Sequence, residues 1–319
     1  MHVDNFGEAG FSTGPHPEFK PLVTQRQLKL ITLATQQERT DPQEWDPCFG
    51  SRLLAQLSLP YKDPGAVPEW VRKNNALTLT LTPGAITTDG VRERKYPFGV
   101  IPRYLLTWIT TEVVLTRSRQ IELGSSLAAF LRTIGMNTSG ASGRRAMDQL
   151  QRLAVANLNI EDTRQYTHGQ RVRGENFNVA SSYDLWFGEQ DPQQPALLPS
   201  TITLSERFYE ETMRAPVKLD PRVLKVLAGS PMRVDMYTWM AFRTRDLRKA
   251  SVVSWKQLAE QFGAEYKQPR QFKEAFKRNL REVAYFFPLG SFTVLDNGIK
   301  LNAKRSSTLR SKTEGTQSA

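Results

Sequence analysis

Between residues 144 and 156 the chain places Arg145, Gln149 and Arg152 at steps of four and three, with Arg144 beside them and Ala146, Leu150 and Leu153 interleaved. On a helix this spacing sorts the polar groups onto one face and the apolar ones onto the other. A guanidinium on the polar face can reach O6 and N7 of a guanine together, and a carboxamide can do the same to N6 and N7 of an adenine. A second run carries Lys267, Arg270, Gln271, Lys273, Lys277, Arg278 and Arg281 among Phe272, Phe276 and Leu280. Cations spaced in this way suit neutralisation of a phosphate backbone, and Arg270 and Gln271, nearest the helix start, are best placed for bases. Solvated helix faces carry the same residue types, so a plain surface helix stays open as the alternative. Ser139 and Ser142 stand at the head of the first run, where hydroxyls cap a helix or hold a phosphate. Arg164, His168, Arg171 and Arg173 gather around an expected turn, within reach of phosphates or a minor groove, with His168 read as an ordinary turn residue. The stretch Lys304–Lys312 is basic and polar, a solvated tail or a source of non-specific affinity.

The composition agrees with an anionic partner. Lys and Arg number 43 against 32 Asp and Glu, a formal charge of +11 over 319 residues. Each phosphate that a cation neutralises releases condensed counterions, so double-stranded DNA is the expected partner. Enzymatic chemistry finds no support. The three histidines, His2, His16 and His168, lie far apart and form no metal-ligand spacing. Gly-Lys-Ser/Thr, the phosphate-cradling signature of nucleotide-driven motors, is missing, as is the G-x-S-x-G of a nucleophile elbow. No metal and no cofactor are expected. Cys48 is the single cysteine, which excludes an internal disulfide and suits a reducing compartment. No apolar run approaches the ~20 residues a membrane span needs, and the N-terminus lacks a basic-then-apolar leader, so the expected location is the cytoplasm.

The elements that must position these cations follow from periodicity. Residues 1–20 are Gly- and Pro-rich and expected to be mobile, 21–40 suit a docked helix, 41–70 read as loop, and 76–82 (ALTLTLT) alternate as a strand. From Pro102 to Thr116 apolar groups recur at helical spacing, then 119–123 reads as a short strand. Ser125 or Ser126 can cap the next helix, whose stripe is Leu127, Phe130, Leu131 and Ile134 and which Gly135 ends. A small polar turn, 137–143, leads into the 144–156 helix, and two extended stretches around residues 167–171 form a hairpin. The same order returns downstream. A helix spans 231–247, Val252–Val253 make a strand, and Ser254-Trp255-Lys256-Gln257 reads as a capping box. A helix ending at Gly263, the turn 264–268 and a helix with Phe272, Phe276, Leu280, Val283 and Phe287 inward come next. Asp296-Asn297-Gly298 closes a hairpin, Asn-Gly being a sequence that tolerates positive φ. Between the two units, 188–200 reads as a linker, and a strand at 201–204 with a helix from Ser205 is expected to pack on the second unit.

Helix, strand, helix, helix and hairpin, twice over, is the sequence pattern of a winged helix. The expected fold is therefore α+β, mainly α, with two tandem winged-helix domains and short β-hairpin wings. The expected boundaries are an N-terminal extension over 1–74, partly disordered, a first domain over 75–190, a second over 200–303 and a basic disordered tail over 304–319.

The segment Tyr96–Ile134, above all Phe98-Gly99-Val100-Ile101-Pro102-Arg103 with Trp108-Ile109-Thr110-Thr111-Glu112, resembles the plasmid-encoded RepA family of replication initiators. Residues 227–243 (LAGSPMRVDMYTWMAFR) and 253–263 (VSWKQLAEQFG) are similar to its second unit, and the resemblance runs over roughly 75–303. It implies a sequence-specific initiator that binds repeated sequences at a plasmid origin, remodels the DNA and recruits the host initiator and helicase. It also implies dimers of the chain that repress and monomers that initiate. A tandem winged-helix transcriptional regulator, acting on its own promoter, is the alternative function.

Overall fold

A computed structural model of the chain describes residues 23–39, 46–88, 90–124, 127–133, 135–185, 200–263 and 266–303. The expectations for residues 1–20, for a cap at Ser125 or Ser126, for the linker up to residue 199, for positions 264 and 265 and for the basic tail lie outside those residues.

The chain opens with α1 (Gln25–Arg39), β1 (Cys48–Gly50), α2 (Arg52–Gln56), β2 (Trp70–Asn74), β3 (Leu77–Thr82), β4 (Ala85–Thr88) and β5 (Val91–Arg94). It continues through α3 (Ile101–Thr116), β6 (Gln120–Glu122), α4 (Leu127–Thr133), α5 (Gly140–Val155), β7 (Asn157–Tyr166), β8 (Gly169–Asn178) and β9 (Ala180–Asp184). Then come β10 (Thr201–Leu204), α6 (Glu206–Arg214), β11 (Val217–Leu219) and α7 (Pro221–Leu227). The last part holds α8 (Pro231–Arg245), β12 (Ser251–Ser254), α9 (Trp255–Phe262), α10 (Pro269–Val283), β13 (Phe292–Leu295) and β14 (Gly298–Leu301). The fold is α+β, with helices outnumbering strands in residue share among the described residues.

Two apolar cores organise these elements. The first gathers Leu79 and Leu81 of β3, Leu105 and Ile109 of α3, and Leu150 and Leu153 of α5. In β3 the alternation decides the face: both leucines are buried while Thr78, Thr80 and Thr82 are half-buried. The second core gathers Met236, Trp239 and Met240 of α8, Leu258 and Phe262 of α9, and Phe272 and Phe276 of α10.

The stretch 41–70, expected as loop, instead carries β1 and α2 in its described part, and both are structural ties between the cores. β1 pairs antiparallel with β11, and α2 sends Leu53 into the first core and Ala55 into the second. The expected start of the first domain, residue 75, is a turn residue between the paired strands β2 and β3, so 46–74 is no separate extension. Arg103 of α3 and Asp235 of α8 meet between the cores, at 2.6 Å from Nε to Oδ1 and 2.7 Å from Nη2 to Oδ2. The remaining donors of Arg103 go to the carbonyls of Leu59, Pro60 and Gly99, so all five N–H groups of this buried guanidinium are satisfied.

In the second unit β12 pairs with β14 and β14 with β13, so the strand before α9 and the hairpin after α10 form one sheet. The capping box holds: Ser254 Oγ accepts from Gln257 N, and Gln257 Oε1 accepts from Ser254 N. The hairpin turn is Asp296-Asn297, and neither residue has positive φ. Gly298 is needed for another reason: a Cβ there would lie 2.1 Å from the Val253 carbonyl oxygen of the neighbouring strand. The α10 stripe also ends sooner than its spacing suggests. After Val283 the backbone tightens into a 3-10 turn, Ala284–Phe286, in which Phe286 is buried, and Phe287 packs against the core from extended backbone, 5.8 Å from the Tyr237 ring. Pro288 disfavours helical backbone at residue 287, which stops the run.

The first unit departs further. β7 and β8 form a hairpin of ten-residue strands, not a short wing, and β7 pairs with β3 instead of β6. β6 pairs with β10, which pairs with β9. Thus β10 and α6, expected on the second unit, belong to the first: Ile202, Leu204 and Phe208 are fully buried in its core, and Phe208 packs 6.4 Å from Phe177. β10 is the central strand of this sheet, the one through which β6 and β9 are joined.

Cys48 sits in β1 with its thiol 3.5 Å from the Leu219 carbonyl. Burial, reinforced by the Asp220 carboxylate, pushes that thiol up to about 12. Because the thiolate is the reactive form, we expect native Cys48 to label with a maleimide at pH 8 at least about a hundredfold more slowly than in denaturant. Equal rates in the two states, followed by mass spectrometry, would place the thiol outside the β1–β11 pairing.

Candidate nucleic-acid interface

α5 begins four residues before the expected start. Ser139 is the N-cap, its Oγ accepting from Ser142 N, so the polar turn 140–143 becomes the first helical turn. Gly84 is bare because a Cβ there would lie 2.2 Å from the Val155 carbonyl oxygen, and this close approach seats the C-terminal end of α5 beside β4. Ser139 is exposed, whereas Ser142 is buried and its hydroxyl accepts from that of Ser139 at 3.1 Å. Ser142 is therefore an internal helix-start residue and not a free phosphate ligand.

Arg144 and Arg145 are exposed on α5. Arg145 makes only long contacts, at 3.4 Å, to the Ala141 carbonyl and the Ser142 hydroxyl, and Arg144 has no hydrogen-bond or ionic partner among the described residues. Gln149 and Arg152, expected on the same outer face, are buried, which corrects their assignment as base-reading groups. Gln149 Oε1 accepts from the backbone N–H of Phe98 at 2.9 Å. Arg152 donates to the Tyr96 carbonyl at 3.1 Å, pairs with Asp148 at 2.9 Å and lies over the Phe98 ring. The segment 96–98 covers this flank of α5, and both side chains are spent holding it there.

The β7–β8 hairpin carries a second cationic face. Register pairs Arg164 with Arg171 and Asp162 with Arg173, so all four side chains lie on one face, with Tyr166 continuing it toward the turn. Tyr166 is exposed and was missed by the sequence reading, although period-two alternation from Arg164 would have placed it. Arg171 is exposed with no ionic partner among the described residues; Arg164 pairs with Asp162 at 2.8 Å and Arg173 with Glu175 at 2.6 Å. Glu175 also accepts from Arg207 of α6, which holds its carboxyl below the usual carboxylate range. His168 is exposed in the turn.

On α10, Phe272, Phe276 and Leu280 are buried, and Arg270, Gln271, Arg278 and Arg281 are exposed; Lys267, just before the helix, is exposed as well. Arg270, Arg278 and Arg281 have no carboxylate partner among the described residues. Lys273 and Lys277 stand apart from this row on the flank toward the hairpin. Lys273 Nζ donates to the Asp296 carbonyl at 3.2 Å and lies 5.1 Å from the centre of the Trp255 ring, with Lys277 at 6.0 Å. Both are half-buried, so part of their charge is committed to docking α10 on the turn and the indole. Glu282 faces the other side, paired with Arg26 of α1 and Arg233 of α8.

No helix among the described residues is long and apolar enough to cross a membrane. No curated protein matches the chain. A crystal structure of selenomethionine domains 2 and 3 of RctB is similar at 14% identity and a TM-score of 0.46, covering 79% of this chain and 96% of that one. A second structure of RctB domains 2 and 3 is similar at 15% identity and a TM-score of 0.41, covering 72% of this chain and 82% of that one. The family model described as "Plasmid encoded RepA protein" matches residues 96–257, from the segment that covers α5 to the capping box of α9. That span is half of the chain, and it includes α5 with its exposed arginine pair, the basic hairpin and α8; the chain belongs to the plasmid encoded RepA protein family.

Proposed function

We propose that this chain is a sequence-specific, non-catalytic DNA-binding initiator of plasmid replication that works in the cytoplasm as two winged-helix units. α5 and α10 are the helices that enter successive major grooves, and the β7–β8 and β13–β14 hairpins are the wings. The observation that carries the reading is α10: a helix packed by phenylalanines on one side presents exposed Arg270, Arg278 and Arg281 on the other, none of them within ion-pair distance of a carboxylate among the described residues, while Glu274, exposed on the same face, pairs with Lys277 at 3.9 Å. A guanidinium row left unpaired on a well-anchored helix is complementary to a polyanion. Arg144 and Arg145 extend the same chemistry to α5, Arg171 and Arg173 supply the wing, and Ser139 with Lys267 stands at the helix starts. Origin repeats, the host initiator and helicase, and a second copy of the chain are the partners this role requires. Lys273 and Lys277 contribute through the backbone field while holding Trp255.

Two substitutions separate base reading from backbone contact. Arg145→Ala is expected to cost about 1–3 kcal/mol on the cognate repeat and to relax base preference at one position. Unchanged specificity in a footprint would remove Arg145 from base contact. Arg278→Ala is expected to weaken cognate and random duplex alike and to lower the slope of log affinity against log salt by about one; a salt titration with an unaltered slope rejects that placement. The functional test supplies the protein in trans to a plasmid deleted for its own initiator gene. Replication of that plasmid is the expected result. Tight binding to the origin repeats without replication would make the chain a regulator instead.

A further inference from the structure

A polar cleft of about 310 Å³ lies where the two units meet, between the β2–β3 turn, β7, the C-terminal part of α8, β12 and α9. Its walls are cross-linked by carboxamides. Asn74 Nδ2 donates to Gln261 Oε1 at 3.3 Å, and Gln257 Nε2 donates to Asn75 Oδ1 at 2.8 Å. These bonds join the first unit to α9, so the cleft exists before any ligand arrives. Its volume is at the lower end of the roughly 300–1,000 Å³ of small-molecule sites.

Two guanidiniums line the cleft, Arg164 from β7 and Arg243 from α8, with one carboxylate, Asp162. Asp162 is already neutralised by Arg164 at 2.8 Å. Arg243 is different. It is half-buried, donates from Nη2 to the Ser251 hydroxyl at 3.2 Å, and has no carboxylate within ion-pair distance among the described residues. Loss of solvent around this guanidinium lowers its proton affinity. A partly desolvated cation with spare N–H donors carries a free-energy cost that an incoming anion relieves. The planar fork of a guanidinium matches two oxygens of a phosphate, and a neighbouring hydroxyl can supply one more donor.

We propose that this cleft is a phosphate site in which Arg243 is the principal ligand, with Ser251 and Arg164 beside it. The phosphate can come from a DNA backbone or from a free nucleotide. Only the first source rests on the DNA-binding reading above; the site itself does not.

The test uses the full chain with Arg243→Gln and Arg243→Lys, the second keeping the charge. In one arm, thermal unfolding of the unaltered protein is followed in inorganic phosphate and in deoxyadenosine monophosphate against chloride at matched ionic strength. A ligand of the native state raises the midpoint as its concentration exceeds the dissociation constant. For a free-phosphate source the rise is present, disappears in Arg243→Gln and is partly restored in Arg243→Lys. In the other arm, binding to random-sequence duplex is titrated with salt. For a backbone source the slope of Arg243→Gln falls by about one while Arg243→Lys keeps it. Either result supports the site. A phosphate-dependent rise in an unaltered protein that ignores duplex would sink the DNA-binding reading and leave this site standing. Normal duplex binding with a slope indifferent to Arg243, and no response to either phosphate, would overturn the site and leave that reading intact. The unaltered protein's response to phosphate is informative even if a variant fails to fold.

Discussion

Arg103→Ala should lower the stability of this protein by about 3–5 kcal/mol, measured as a shift in the denaturant midpoint at unchanged slope. The argument rests on what the substitution strands. Arg103 is 6% exposed, and its guanidinium meets both carboxylate oxygens of Asp235 and three backbone carbonyls. Alanine removes every donor and leaves the Asp235 charge buried with no cation. Replacing both partners, as in Arg103→Met with Asp235→Leu, should cost less than Arg103→Ala alone, because no charge is then left behind. The pair joins α3 to α8, and so the first core to the second. If α5 and α10 read successive grooves, as proposed, the same variant should also lose more affinity for a long cognate site than for non-specific duplex, since that reading requires the two helices at a fixed separation. A loss under about 1 kcal/mol, or a double variant worse than the single one, would mean that the ion pair does not set that separation.

Phe276→Ala should cost a further, independent 3–5 kcal/mol or so, the range of buried aromatic truncation. Its ring is fully buried and stands 5.5 Å from Phe262, 5.5 Å from Phe272 and 5.9 Å from Trp255. Those three neighbours come from α9 and α10, so the ring is the contact by which α10 is seated on the preceding helix. Three of the neighbours that would line the cavity left by alanine are themselves aromatic rings of limited rotamer freedom, so its collapse is incomplete. Trp255 supplies the probe: its indole lies against Phe276 on one side and Lys273 on the other, and its fluorescence should change in the native state of the variant. DNA affinity should fall with the population of seated α10, while the exposed Arg270, Arg278 and Arg281 remain chemically present. An unfolding midpoint within about 1 kcal/mol of the parent would mean that α10 is held by its ends and not by this ring.

Local chemistry was enough for most of the elements. The strand 201–204 and the capping box Ser254–Gln257 stand where their residues place them, because alternation and a hydroxyl three residues before a carboxamide act within one turn of chain. The inward stripe of α10 was legible from Phe272 to Val283, until Pro288 overrode its period. The unpaired arginines of α5 and α10 were legible as residue types on a face, and so was the family resemblance.

What only the tertiary structure decided is which flank of each helix another part of the chain covers. Gln149 and Arg152 satisfy the helical period as well as Arg145 does, yet a segment some fifty residues earlier lies on them, with the Phe98 amide bound to Gln149. The same holds for β10, whose alternation gives it two faces but not the partners β6 and β9. It holds again for Arg243, an unremarkable helix residue until the β2–β3 turn and β12 enclose it. Side-chain period is set by neighbours along the backbone, whereas burial is set by contacts whose sequence separation the period does not encode.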